Sequence, residues 1–281
     1  MIKKILLPTD FSKNSWCAIQ YAINLYENQE CDFYILNTYT KDSYGSDSNV
    51  ILDPDKSFNK LAKDRSREGL GDILRRLSKV DKKIAHRFHV LSRAGVLLDE
   101  INTLVNTLDI TIIVIGAKGM SSKGKETYGK NTLAIMNSMR KCPVLVVPVE
   151  VTFDRPEEIV LATNFDSDFN ISEVKHLAEI ARISNARLQI LSLADNKDLS
   201  PKQRKNKILL REQLIGIEHG FVVLHNVEMS AALSCFVEIR HSNMISYIDK
   251  KPSIWERLGF GKSIFSKLGY YANIPVLTLR G

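Results

Sequence analysis

Ile5-Leu6-Leu7-Pro8-Thr9-Asp10-Phe11, close to the start of the chain, returns 154 positions later as Ile159-Val160-Leu161-Ala162-Thr163-Asn164-Phe165. Each copy is a short apolar run without polar alternation, the pattern of a strand buried on both faces of a parallel sheet. A helical pattern follows each copy. After the first, Ala18, Tyr21, Ala22 and Leu25 share one face, with Ser12 and Ser15 as capping candidates; after the second, Val174, Leu177, Ala178 and Ala181 do the same. The endings match as well: Cys142-Pro143-Val144-Leu145 is echoed by Ile274-Pro275-Val276-Leu277. Matching beginnings and matching ends indicate an internal duplication. The polar stretch from Glu150 to Glu157, beside Pro148 and Pro156, marks the expected boundary, which divides the chain into units 1–150 and 151–281.

Working outward through the first unit, Phe33 to Leu36, Phe88 to Leu91, Ile110 to Ile115 and Val144 to Val147 read as further strands. Helical stripes lie between them: Leu70, Ile73, Leu74 and Leu77 within Leu61 to Val80; Leu97, Ile101, Leu104 and Leu108 within Val96 to Leu108; and Leu133, Met136 and Met139. Lys41 to Asp55 reads as a long polar loop. In the second unit, Leu188 to Leu191 and the stretch around Met244 to Ile248 read as strands. Strand and helix alternate, which implies a parallel sheet with helices on both faces and right-handed crossovers.

Bulk properties narrow the function classes. With 281 residues, 44% hydrophobic and 25% charged, each half can bury a core and disorder is not expected. No apolar run approaches the roughly 20 residues of a membrane span. The N-terminal apolar stretch ends at Pro8 without a small-residue cleavage site, so a cytoplasmic protein is expected. Cys17, Cys31, Cys142 and Cys235 are scattered and read as reduced thiols. His86 and His89, three apart on a strand, point to opposite faces and cannot share a metal. The net charge of +7 raises nucleic-acid binding, but Lys202 to Arg211 is the one dense basic run, and it reads as a solvated helix face without interleaved aromatics. A nucleic-acid partner is therefore not expected.

The chemistry concentrates in a glycine loop. Gly116-Ala117-Lys118-Gly119 leaves the most hydrophobic strand directly, and Gly129-Lys130-Asn131-Thr132 opens a helix. Glycines serve where backbone takes positive φ or a ligand approaches the main chain, and a helix amino end attracts phosphate. Two such turns could cradle a polyphosphate, with Lys118, Lys123, Lys125 and Lys130 adding charge. From spacing alone the glycines serve equally as caps of elements. Asp10, ending the first strand, could accept hydrogen bonds from ribose hydroxyls or simply form a turn. Two look-alikes of the P-loop fail: Gly119 to Lys125 is followed by Glu126 where Ser or Thr is required, and Gly261-Lys262-Ser263 has Glu256 at the place of the first glycine.

Three stretches together carry a resemblance: Leu7-Pro8-Thr9-Asp10-Phe11-Ser12, the spacing Gly116-x2-Gly119-x9-Gly129, and Lys141-Cys142-Pro143-Val144-Leu145-Val146-Val147-Pro148. Over essentially its whole length the chain resembles a tandem universal stress protein. The resemblance implies two Rossmann-like α/β units, each an open five-stranded parallel sheet of order 3-2-1-4-5. These pair through their last strands as an internal pseudo-dimer, and a homodimer of the whole chain is also allowed. It further implies ATP as ligand, with or without Mg²⁺. Pro8, Thr9 and Asp10 would line the adenosine end, Thr38 would meet adenine through its backbone, and Gly116, Lys118, Gly119, Gly129, Lys130 and Asn131 would surround ribose and phosphates. Lys130 departs from the Ser or Thr usual after the last glycine. Ala162 and Asn164 replace Pro8 and Asp10 in the second unit, and no glycine pair follows Met244 to Ile248. Instead come Lys250-Lys251-Pro252-Ser253 and the Gly259-Phe260-Gly261 turn. That unit's site is expected to be degenerate.

The functional expectation is an ATP-binding stress-response or regulatory protein with one nucleotide site and little or no turnover, because no general base, nucleophile pair or metal cluster stands out. Two alternatives stand beside it: a weak ATPase or a phosphoryl or nucleotidyl transferase on the same fold, and a nucleotide-independent interaction module.

Overall fold

Ile5, Leu6 and Leu7 are fully buried in β1 (Lys3–Pro8) of the computed structural model, which describes residues 2–39, 54–80, 86–119, 128–166, 171–195, 197–249 and 271–280. The loop 41–53, most of the P-loop-like stretch after Gly119, and residues 250–270 with both later glycine turns lie outside the described residues. Alternation along β1 splits its side chains between two helix layers. Ile5 and Leu7 face the layer formed by α1 (Lys13–Leu25), α2 (Pro54–Leu77), α5 (Ile171–Ser184) and α6 (Pro201–Gln213) and belong to its core. Leu6 faces the opposite layer, formed by α3 (Leu97–Leu108), α4 (Lys130–Ser138) and α7 (Met229–Arg240), and belongs to its core. That two-sided burial is why the strand reads as an unbroken apolar run.

The remaining strands are β2 (Cys31–Tyr39), β3 (Arg87–Ala94), β4 (Ile112–Gly116), β5 (Val144–Val147), β6 (Glu158–Ala162), β7 (Arg187–Ser192), β8 (His219–Val223), β9 (Met244–Asp249) and β10 (Val276–Arg280). The first five run in the order β3-β2-β1-β4-β5, and the second five repeat it as β8-β7-β6-β9-β10. Pairing is parallel within each set. An antiparallel seam between β5 and β10 joins them into one open sheet of ten strands.

The seam has internal symmetry. Leu145 lies opposite Leu277, flanked by Val146 opposite Val276 and Val144 opposite Thr278. In the adjoining parallel strands Leu145 partners Val114 and Leu277 partners Ser246, which places the two leucines at the same point of the repeat. Residues that pair with their own counterparts mark a two-fold axis, as in an isologous dimer. Side chains also join the two repeats on the face of α1 and α5: Lys3 forms an ion pair with Glu179 and Arg155 with Glu27, while Arg155 is braced at 2.9 Å by the carbonyl of Ile183 in its own repeat. Phe153 meets Tyr21 edge-on with ring centroids 5.0 Å apart.

The corner after the first strand of each repeat is also duplicated. Phe11 and Phe165 take φ of 64° and 62°, an uncommon conformation for a bulky residue. In each the amide donates 3.0 Å to the hydroxyl two residues earlier, Thr9 or Thr163. Thr9 and Thr163 in turn donate their own amides to Leu36 and Leu191 on the neighbouring strand.

Several expectations change in detail. α2 begins at Pro54, earlier than the apolar stripe suggests, because a proline in the first helical turn costs nothing. Leu70, Ile73 and Leu77 are buried as expected, whereas Leu74 is exposed. β8 was not legible, since His219 and Gly220 interrupt its apolar character. The basic run on α6 is not a wholly solvated face: Lys207 and Arg211 lie over the ring of Phe221, at 4.7 and 5.2 Å from its centroid. His86 and His89 do diverge, one against Phe33 and the other stacked on Tyr34. Among the described residues no helix is long and apolar enough to cross a membrane.

Candidate functional site

β1 and β4 are neighbours whose chain connections leave in opposite directions, β1 toward β2 and β4 toward β5. A crevice must open at their carboxyl ends, where the two crossovers diverge, and ligands of open α/β sheets bind there. The cleft found at that point is open to solvent and holds about 130 Å³ of free volume. Eight of the ten residues singled out from the sequence line it: Pro8, Thr9 and Asp10 from the β1 corner, Thr38 from β2, Gly116, Lys118 and Gly119 after β4, and Asn131 in α4. Gly129 and Lys130 do not form its wall. Gly129 is the buried N-cap of α4, and Lys130, its first helical residue, is exposed.

The wall is held by polar contacts that leave little freedom. Asp10 accepts the Ser12 amide at 3.1 Å through Oδ1, so it forms a turn, while its other oxygen faces the glycine corner. A Cβ on Gly119 would stand 2.7 Å from that Oδ2. A Cβ on Gly116 would stand 2.9 Å from the Asn14 side chain. Close approach of the protein itself therefore favours glycine at both places, more firmly at Gly116, where Asn14 backbone is also near, than at Gly119, where the carboxylate can turn aside. Gly129 donates its amide to Ala117 at 2.8 Å, and the Thr132 hydroxyl donates to Gly116 at 2.9 Å, tying the start of α4 to the end of β4. The α4 amino end has neither a side-chain cap nor an acidic residue in its first turn. Its first-turn N–H groups lack intrahelical acceptors and carry the positive end of the helix dipole.

Sequence reading missed Ser15, Asn37, Leu97, Ile115 and Thr132, which also line the cleft. Leu97 and Ile115 supply an apolar wall, and Asn37 donates 2.8 Å to the Thr9 carbonyl, bracing the β1 corner. Thr132 alone carried a signal, as the residue closing the second glycine turn. The others are brought in by sheet order.

The corresponding crevice in the second repeat is differently furnished. Strand register places Ala162 at the position of Pro8, Leu193 at that of Thr38 and Ile248 at that of Gly116. Asn164, in the place of Asp10, turns its Oδ1 onto the Leu193 amide at 3.0 Å, across the space between the strands.

The shifted carboxylates lie elsewhere. Asp32 and Glu158 sit at the amino ends of their strands, far from the cleft's end of the sheet, and belong to ion pairs. The Arg87 guanidinium, bonded to Asp32 at 2.7 Å, holds that carboxyl below its usual range, with His89 assisting against burial. Burial pushes Glu158 up, but hydrogen bonds from Arg240 at 2.6 Å and Ser242 at 2.8 Å outweigh it and hold the group low. Among the described residues no cluster of His, Cys, Asp or Glu could hold a metal ion.

Fold and cleft together define a duplicated Rossmann-like α/β protein. The family model of the universal stress protein family matches residues 1–148, and the chain belongs to that family. A universal stress protein from Archaeoglobus fulgidus DSM 4304 superposes with a TM-score of 0.73 at 17% identity, covering 99% of this chain and 98% of that one. A putative universal stress protein from Pseudomonas aeruginosa UCBPP-PA14 covers 99% of this chain and 93% of its own, with a TM-score of 0.54 at 12% identity. At such identities the likeness concerns the fold. No curated protein matches the sequence.

Proposed function

We propose that the chain is an ATP-binding stress-response or regulatory protein with a single nucleotide site in residues 1–150, and that residues 151–281 serve as its internal partner. The supporting observation is the convergence on one cleft of Asp10, the Gly116–Gly119 corner and the uncapped amino end of α4. These groups suit the three parts of a nucleotide. The apolar patch of Leu97 and Ile115, beside Pro8 and Thr38, suits adenine. Asp10 accepts ribose hydroxyls. The backbone of Gly119, the first turn of α4 with Asn131, and the ammonium group of Lys118 suit phosphates, with Gly129 setting the start of that turn and exposed Lys130 adding charge beside it.

ATP here is a ligand whose bound state the protein reports; the charged triphosphate supplies the binding energy at the helix end. Lys130 replaces the hydroxyl that the family usually places after the last glycine and substitutes a charge for a hydrogen bond. Binding should therefore depend on ionic strength.

The test is native purification with identification of released nucleotide, followed by calorimetric titration with ATP of wild type and Gly129→Val. Copurifying or titratable ATP, weakened by the substitution, supports the reading; no binding at millimolar ATP overturns it. Incubation with Mg²⁺ then separates holding ATP from hydrolysing it.

A further inference from the structure

The inward stripe of α1 runs through positions 14, 18, 21, 22 and 25, and four of these are the apolar Ala18, Tyr21, Ala22 and Leu25. The fifth is Asn14, 5% exposed. A helix that packs its face on a sheet takes an apolar residue at such a place, because a buried amide is unfavourable unless both its ends are bonded. Asn14 does not cap the helix; Ser12 does, accepting the Ser15 amide. Instead both ends of its amide reach out of α1. Its Oδ1 accepts the Lys118 amide at 2.7 Å, and its Nδ2 donates to the Val147 carbonyl at 3.0 Å. Lys118 is in the glycine corner, and Val147 ends β5, the strand of the seam.

We propose that Asn14 is the positioning residue of the cleft: it sets where the Gly116–Gly119 backbone stands by tying it to α1 and to the end of β5. The lack of a side chain at Gly116 follows from this role, since a Cβ there would lie 2.9 Å from Asn14 Cγ and Oδ1. Asn14 itself is not among the residues lining the cleft and acts through the backbone that is. This rests on the nucleotide reading for its functional consequence, but its geometric content stands apart from it.

Asn, Asp and Leu branch alike at Cγ and differ in what they can bond, Leu being the bulkier, so the full-length variants Asn14→Asp and Asn14→Leu vary the hydrogen bonding at a similarly shaped side chain. Asp keeps an acceptor for Lys118; Leu has none. Amide hydrogen exchange should show the Lys118 N–H opening at least about tenfold faster in Asn14→Leu and less so in Asn14→Asp, which keeps the acceptor for Lys118 but loses the donor to Val147. The ATP dissociation constant should rise about five- to tenfold in Asn14→Leu, in step with the lost protection. Gly116→Ala tests the same idea without depending on nucleotide: its effect on the unfolding midpoint should be smaller in an Asn14→Ala background than in wild type. Unchanged Lys118 protection in Asn14→Leu, or a Gly116→Ala effect of equal size in both backgrounds, overturns the proposal. If wild type binds no ATP, the nucleotide reading fails, while exchange and the paired substitutions still decide the role of Asn14.

Discussion

Gly119→Ala isolates one contact. The added Cβ would lie 2.7 Å from Asp10 Oδ2, against an optimum of about 3.5–4.0 Å for carbon contacts, so one of the two must yield by several tenths of an ångström. Asp10 is the softer partner, since it ends in a carboxylate able to rotate. Rotation weakens its 3.1 Å bond from the Ser12 amide. A hydrogen bond to a charged group contributes about 1.5–3 kcal/mol, and hydration of this partly exposed corner returns some of that, so stability should fall by about 1 kcal/mol. The larger effect is on the ligand. If the proposed nucleotide binds there, an Asp10 carboxylate turned away from its ribose would forfeit a charge-assisted contact of the same class, about 10- to 100-fold in dissociation constant. Calorimetric ATP titration of Gly119→Ala, Asp10→Ala and the double variant tests the route. If Gly119 acts through Asp10, the double variant binds no more weakly than Asp10→Ala. Additive losses would show that the Cβ obstructs the ligand directly, and the reasoning from Asp10 would be wrong.

Three further outcomes follow from the structure. Leu145 and Leu277 are fully buried at equivalent places on the seam; either Leu→Ala change should cost about 2–5 kcal/mol in denaturant unfolding, and a loss confined to one of the two would contradict the symmetry. Asp32 and Glu158 have folded-state pKa values held below the unfolded ones, so their contribution is present above about pH 4 and is lost as pH falls through the folded values. Urea midpoints measured from pH 7 to pH 3 should flatten at the acid end in Asp32→Asn and Glu158→Gln, and an unchanged slope would count against the two ion pairs. Cys235 is exposed, whereas Cys31 and Cys142 are buried and burial pushes the Cys31 thiol up to about 12; a thiol reagent should therefore modify Cys235 in the native chain and reach Cys31 and Cys142 only on unfolding.

What was legible in the sequence was whatever local periodicity or composition must express. β1 and β6 are apolar on both faces, so they show as runs. The corner residues Thr9 to Phe11 repeat because strand end, turn and helix start fall within a few positions. The glycine corner was visible for a different reason than the one that requires it: its spacing suggests ligand approach, yet Gly116 and Gly119 are crowded by Asn14 and Asp10. Asn14 was not legible, because an Asn in the first turn of a helix has many uses and its partners are more than 100 residues away. Leu97 and Asn37 were hidden likewise, since only the order of the strands brings them to the cleft. α6 misled for an energetic reason: Lys207 and Arg211 cover Phe221 with their stems and cations, an apolar role that a count of charges cannot display.

The unequal crevices yield a definite stoichiometry. Both repeats keep the threonine-braced corner with its positive-φ phenylalanine, although Ala162 and Asn164 have replaced Pro8 and Asp10. The corner is therefore a folding element, needed to end a strand and start a helix whether or not a ligand is present. What differs is the furniture above it. Ile248 puts a branched side chain at the register position of Gly116, and Asn164 spends its oxygen on the Leu193 amide, where Asp10 keeps one facing the glycine corner. Titration should accordingly saturate at about one ATP per chain, with Asp10→Ala weakening that single event and Asn164→Ala leaving it intact. Two equivalent events per chain, or loss of binding on Asn164→Ala, would mean that the second crevice is a site after all.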